Sequence, residues 1–325
     1  MKNNSPALKV FVSGATGVLG RRVLPKLIAA GHSVVALSRS EKNSALITQL
    51  GAEPRRGDLF NAGDVERLSA GCEVILHLAT SIPAKARTTA RDWEINDRIR
   101  REGTSNLVAA ALTHRCKLYV QQSITFLYGN RKGEWVDEDA PIARRLPSML
   151  RSAVDMERLV ADAIDGKNLP GVILRLGSLY CHDSFQTASM FSLIRQGQFS
   201  IIGKGDVYWN MLDADDAAAA IVRTADNADK GTRGVFNICD DEPVLYRDLV
   251  HYTAELLQAK RPGKIPAVAA RTAIGADLVD ALLSSVRCKN DKARRGFGWE
   301  PMYRTYREGL REELKKWLAQ SSQNS

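Results

Sequence analysis

The sequence predicts a doubly wound, parallel α/β sheet joined to a smaller, mostly helical C-terminal lobe, and three observations predict it. Strand-length apolar runs alternate with stretches of helical period from residue 8 to residue 176. A glycine-rich turn, Gly14-Ala15-Thr16-Gly17-Val18-Leu19-Gly20, stands between the first strand and the first helix. Beyond Leu179 the alternation gives way to helix punctuated by Pro262, Pro266 and Pro301.

The elements follow in order. Leu8–Ser13 is a β-branched apolar run that stops at Gly14, and Val18–Ala30 has the spacing of an amphipathic helix closed by Gly31. Strand Ser33–Ser38, helix Glu41–Leu50, a strand over Glu53–Gly57 and helix Ala62–Ala70 repeat the unit. Strand Glu73–Leu78, helix Asp92–Thr113, strand Lys117–Gln122, helix Pro147–Asp165 and strand Gly171–Leu176 complete the series. Cys181–Trp209 offers only a short helix, Ala188–Gln196, and two small apolar runs, so it caps the sheet. Helix Asp215–Ala225 and strand Gly234–Ile238 return to the sheet. Tyr246–Leu318 is mostly helical, and Gln320–Ser325 reads as a frayed tail. The expected division is 7–180 plus 210–240 for the sheet domain and 181–209 plus 241–320 for the second lobe.

Composition bounds the function. The chain has 325 residues, 44% of them hydrophobic and 26% charged, which suits a globular domain with an ample core. Its net charge of +9 comes from basic residues scattered along the chain without interleaved aromatics, so no nucleic-acid partner is expected. The five cysteines, Cys72, Cys116, Cys181, Cys239 and Cys288, lie far apart in no metal-ligand spacing and read as reduced, mostly buried thiols. The polar start Met1–Pro6 leads into a run of strand length, without a secretory signal, and no stretch approaches the roughly 20 apolar residues of a membrane span. The expectation is a cytoplasmic protein acting on a small molecule, as monomer or homodimer, with no membrane and no metal.

The glycine turn carries the chemistry. Glycines at 14, 17 and 20 between a strand and a helix allow a tight turn, close backbone approach to a diphosphate and close helix packing, the fingerprint of a Rossmann dinucleotide site. Thr16, Val18 and Leu19 belong to the same turn. The second strand ends in Ser38-Arg39, where a carboxylate for the NAD ribose is usual; a guanidinium there suits the 2′-phosphate of NADP. Asp58-Leu59 is expected to bracket the adenine, and His77-Leu78-Ala79-Thr80 to follow the ribose and diphosphate.

These residues resemble the extended short-chain dehydrogenase/reductases, the NAD-dependent epimerase/dehydratase family. The likeness runs through Gly57-Asp58-Leu59, His77-Leu78-Ala79, Gly103-Thr104-Ser105-Asn106-Leu107, Leu127-Tyr128-Gly129, Asp137-Glu138-Asp139-Ala140-Pro141 and Gly298-Trp299-Glu300-Pro301. The resemblance implies substrate held between the two lobes and a catalytic Tyr-x-x-x-Lys pair backed by a serine or threonine. Glu157-Arg158-Leu159-Val160 fixes the register and places Met149 at the tyrosine and Ala153 at the lysine; Ile124 takes the hydroxyl position, flanked by Ser123 and Thr125. Arg100 stands where the family has an asparagine.

An atypical NADPH-dependent reductase of hydrophobic, aromatic or polyketide-like carbonyl compounds is the leading expectation. Its proton then comes from water, from substrate, or from Ser123, Thr125, Tyr128 or Tyr180. Met149, Tyr180, His182 and Met190 are expected to line the substrate pocket, with Met156 and Leu193 adding apolar surface; His77 orients backbone. A non-catalytic NADP-binding sensor is the rival. A sugar-nucleotide epimerase or dehydratase is disfavoured because that chemistry starts with the tyrosine as base.

Overall fold

The computed structural model describes residues 6–85 and 87–323. The first half runs β1 (Lys9–Ser13), α1 (Gly20–Ala29), β2 (Ser33–Ser38), α2 (Glu41–Gln49), β3 (Glu53–Arg56), α3 (Ala62–Ser69), β4 (Val74–His77), α4 (Ala90–Arg98), α5 (Thr104–Thr113) and β5 (Leu118–Ile124). There follow β6 (Trp135–Val136), α6 (Arg151–Lys167), β7 (Gly171–Leu176), β8 (Ser178–Tyr180), α7 (Phe185–Arg195), β9 (Ser200–Ile202), β10 (Tyr208–Trp209), β11 (Met211–Asp213), α8 (Ala214–Asp226) and β12 (Gly234–Ile238). The chain ends in β13 (Val244–Leu245), α9 (Tyr246–Leu256), β14 (Gly263–Ile265), α10 (Ala267–Ile274), α11 (Ala276–Leu282), β15 (Arg287–Cys288), α12 (Asp291–Phe297) and α13 (Tyr306–Gln323).

Seven strands form one parallel sheet in the order β12-β7-β5-β4-β1-β2-β3. Alternation along each strand sends side chains to opposite faces. Val10 and Val12 of β1 join one buried cluster, with Leu24 and Leu27 of α1 and Ile221 of α8, while Phe11 joins a second with Leu107 of α5 and Val160 of α6. Each fully buried leucine or valine contributes about 1.5–3 kcal/mol. A third cluster, Phe191, Ile194, Tyr246, Leu249, Leu310 and Leu314, joins α7, α9 and α13.

The chain reverses sheet direction between β1 and β4, whose neighbours lie on opposite sides, so their carboxyl ends open a crevice. Ser13 and His77 are register partners there, and their side chains meet at 2.9 Å.

Two expectations are corrected. The helix read as continuous over Asp92–Thr113 is broken by one π turn, Ile99–Gly103, between α4 and α5. Close packing accompanies this widened turn, since a Cβ on Gly103 would lie 2.8 Å from Leu59. The expected frayed tail is helical through Gln323, continuing α13; its last two residues, like Met1–Ser5, lie outside the described residues. All five cysteines are buried and free.

Candidate functional site

The glycine turn departs from β1 at the crevice. Gly14 has φ +87°, and a Cβ there would lie 2.4 Å from the Ala79 backbone nitrogen. Backbone from β1 and from the end of β4 touches at that point, and only glycine permits both the conformation and the contact. Gly20 is held as tightly, its virtual Cβ 2.3 Å from the Gly14 carbonyl oxygen. Gly17 differs: it is exposed, and a Cβ there would meet only the Gly14 carbonyl oxygen, at 3.4 Å. Protein packing therefore explains two of the glycines, and a ligand lying against the turn explains the third. Helix α1 begins here with no side-chain cap and no acidic residue in its first turn, so its positive end is not neutralised locally. Glycine cradle and uncapped helix together fit a dinucleotide diphosphate.

Arg39 emerges at the end of β2, exposed, without a hydrogen bond or ion pair among the described residues. Beside it on the cleft wall stands Asn43, from the first turn of α2, which the sequence reading did not name. Ser38 does not join them; its buried hydroxyl bonds the Ser40 carbonyl and the Ser44 hydroxyl inside the turn. Asp58 is also off the cleft, accepting from the Phe60 amide, whereas Leu59 lines it. Thr16, Val18, Leu19, Leu78, Ala79 and Thr80 line it as well.

The glycine turn and the space beyond it form one continuous cleft of about 660 Å³, within the range of ligand-binding clefts. Met149 and Ile124 line it, with Gln122, Phe126, Trp93, Arg100 and, from α11, Leu278 and Leu282. Its described lining contains no tyrosine, lysine or histidine. Ala153 is fully buried beneath, against Leu127 and Leu150.

The proposed proton donors point elsewhere. Gln122 and Ile124 reach the cleft from alternate positions of β5, so Ser123 faces the other way, and its buried hydroxyl donates to Glu157. Glu157 in turn holds Arg175 through a buried pair, Nη2 to Oε2 at 2.6 Å. Tyr128 lies under the Arg175 guanidinium, donates to Asn237 Oδ1 at 2.8 Å, and has its phenol pushed up by burial. Thr125 is buried and does not line the cleft.

Three of the four pocket residues are likewise misplaced. Tyr180 is buried against α13, where a Cβ on Gly309 would fall 1.9 Å from its hydroxyl. His182 is tied to that helix too, with Nδ1 2.7 Å from Glu313 Oε2. Met190 packs on the cluster of Phe191 and Leu249, Met156 is buried in α6, and Leu193 is exposed without lining the cleft.

Burial and pairing shift two side chains of the lining, Cys181 and Asp183, and also His77, which touches the lining residue Ser13. Burial raises the Cys181 thiol to about 12, against the nearby Arg22 charge. Burial works against ionisation of Asp183, yet its hydrogen bond and charge pairing with Arg22 prevail and hold it at about 2. Asp183 thus ties α1 to the segment entering α7 as a carboxylate. His77 is fully buried, which lowers its pKa to about 4; it contacts Ser13 and, at 3.4 Å, the carbonyl of Ile99, and so braces the π turn.

Among the described residues no group of His, Cys, Asp and Glu could hold a metal, and no helix is long and apolar enough to cross a membrane.

Comparison with known proteins places this geometry. A 3-diazoavenalumate denitrifying reductase from Streptomyces sp is 29% identical over 318 residues, covering 94% of this chain and all of the relative. A 4-hydroxy-2-methyl-3-oxo-4-farnesyl-3,4-dihydroquinoline-1-oxide ketoreductase from Stigmatella aurantiaca is 28% identical, covering 93% of this chain and 95% of the relative. The fold matches UDP-glucuronic acid 4-epimerase from Bacillus cereus, solved with UDP-glucuronic acid and NAD, at TM-score 0.79 and 18% identity, over 97% of this chain and all of that one. The sequence model of the NAD dependent epimerase/dehydratase family matches residues 10–239, and the chain belongs to that family.

Proposed function

We infer that the chain is an NADPH-dependent reductase of hydrophobic, aromatic or polyketide-like compounds that works without the family's tyrosine and lysine. The observation that carries this is the cleft, continuous from the glycine turn to an apolar wall, with Met149 at the tyrosine position and no tyrosine, lysine or histidine in its described lining. Both curated relatives described above are reductases, which supports the reaction class.

Gly14, Gly17 and the start of α1 hold the diphosphate, Arg39 and Asn43 take the 2′-phosphate of NADP, and Leu78, Ala79 and Thr80 follow the ribose. The bound nicotinamide supplies a hydride. Met149, Phe126, Leu278 and Leu282 exclude water from one side of the substrate and press a flat apolar body toward the end of the sheet. Residues 181–209 and 241–320 form the lobe that supplies α7 and α11 to this wall.

A ketone reduced here leaves an alkoxide, which must then take a proton from water or from a neighbouring group of the substrate. A second reading follows from the same lining. Hydride addition to the carbon of an aryl diazonium expels dinitrogen and leaves an arene, and that balance needs no proton. A cleft whose described lining holds no tyrosine or lysine suits it, and the Streptomyces relative is named for a diazo substrate.

The test follows nicotinamide absorbance with NADPH and a panel of aromatic ketones, quinones and aryl diazonium salts. Oxidation with the ketones or quinones supports the carbonyl reading, and oxidation with the diazonium salts alone the second. Tight NADPH binding without turnover on any of them replaces the enzyme by a sensor.

A further inference from the structure

Arg100 is a buried cation with no ion-pair partner among the described residues, at the wall of the substrate cleft. It is 6% exposed, and burial lowers its pKa to about 10, so it stays charged at neutral pH. Nη1 donates to the Met149 carbonyl at 3.2 Å and to the Ser152 hydroxyl at 3.3 Å. Both partners are neutral. Among the described residues Nε and Nη2 meet no acceptor, and no carboxylate pairs with the guanidinium. The nearby charge of Asp97, three residues earlier, favours the cation, but the ion-pair contact of Asp97 is with Arg101, at 3.9 Å, and not with Arg100.

Burying an unpaired guanidinium is costly, and structures keep such a group where something else supplies the negative charge. Here the backbone is built to hold it. The π turn Ile99–Gly103 carries Arg100, His77 braces the turn through the Ile99 carbonyl, and the Met149 and Ser152 contacts fix the head group beside the position where the family has its tyrosine. A second polar group shares the cleft: Gln122, whose buried Oε1 has no donor. The diphosphate has the glycine turn and Arg39 stands free at the far end of the cleft, so Arg100 is left for the substrate.

We propose that Arg100 binds an anionic oxygen, a carboxylate or an acidic phenolate, on the flat apolar substrate that fills the cleft, with Gln122 accepting from a donor on the same molecule. This rests on the reductase reading of the same cleft. Arg100 anchors the charged end while the Met149 and Phe126 wall takes the rings, which orients the reducible carbon toward the nicotinamide.

The test titrates the NADP-loaded protein calorimetrically with naphthalene carboxylate, its methyl ester and a nitrophenolate. The carboxylate is expected to bind about tenfold to about hundredfold tighter than the ester, the range for a buried charge-assisted hydrogen bond. Arg100→Met should abolish that preference and Arg100→Lys retain part of it, with NADP binding unchanged in both as proof of folding. A nitrophenolate that matches the carboxylate widens the ligand class to phenolates, and one that matches the ester restricts it to carboxylates. Equal binding of acid and ester, a preference that survives Arg100→Met, or no binding of either in the millimolar range overturns the proposal. Failure of NADP itself to bind the wild-type protein sinks the reductase reading instead, and the two failures are read in separate titrations.

Discussion

Arg39 gives the sharpest handle on cofactor choice. It projects from the end of β2 into the cleft with no partner among the described residues, so removing it leaves no buried group unsatisfied and its effect on binding is separable from its effect on folding. A hydrogen bond to a charged group is worth about 1.5–3 kcal/mol, and exposure to solvent brings the guanidinium on a 2′-phosphate to about 1–2 kcal/mol. Arg39→Ala should therefore weaken NADPH about fivefold to thirtyfold, at 1.4 kcal/mol per tenfold, and leave NADH within about twofold. Arg39→Asp should go further, repelling the phosphate and offering a carboxylate to the ribose hydroxyls, so that NADH becomes the tighter ligand. Both dissociation constants come from the quench of protein fluorescence. A parallel loss for the two cofactors would refute the assignment, because a contact with the 2′-phosphate cannot alter NADH binding.

Three further outcomes follow from the geometry. Gly14→Ala combines a positive φ with a Cβ inside contact distance of the Ala79 backbone; it should cost about 2–5 kcal/mol in urea unfolding and abolish NADPH binding, and a change below about 1 kcal/mol would mean the turn adapts. Ser123→Ala and Tyr128→Phe should keep kcat within a few-fold, since their hydroxyls serve Glu157 and Asn237 away from the cleft; a hundredfold loss in either would restore that residue as proton donor. His77 has a folded pKa of about 4 against 6.5 for the free side chain, so the unfolded chain binds the proton first as pH falls. His77 costs nothing above about pH 6.5, and stability drops by up to about 3 kcal/mol between there and about pH 4. The pH dependence of unfolding of His77→Asn, subtracted from that of wild type, reads this slope, and coincident curves would count against a neutral buried imidazole.

The sheet was legible because its signal is local. Strands Ser33–Ser38, Gly171–Leu176 and Gly234–Ile238 have the bounds their apolar runs indicated, and Gly14 marks its own turn. The glycine turn is read from one βα unit and was legible for the same reason, whereas Ser38 and Asp58, picked at strand ends, turn out to bond within their own turns. The substrate end is assembled from α4, β5, α7 and α11, and nothing local says which of their faces meet. Strand period did contain one usable signal: Ile124 at the hydroxyl position puts Gln122 on the same face and Ser123 on the other, so proximity in sequence was the wrong guide. Leu278 and Leu282, four apart on α11, form another such face. Tyr180 and His182 follow a strand end, as cleft residues often do, but α13 packs over them with Gly309 and Glu313, a contact more than a hundred residues distant. The π turn that delivers Arg100 leaves no mark in helical periodicity, because the buried positions Trp93, Asn96, Arg100, Gly103, Leu107 and Ala111 keep spacings of three and four straight through it.

The central claim is hydride delivery to a substrate carbon by a site whose described lining holds no tyrosine or lysine. NADPH deuterated at the transferable position, incubated with the substrate that the panel identifies, tests it by mass spectrometry of the product. One deuterium per product, on the reduced carbon and independent of solvent label, is the result the cleft predicts. A product that takes its new hydrogen from solvent, or NADPH returned unoxidised, contradicts it.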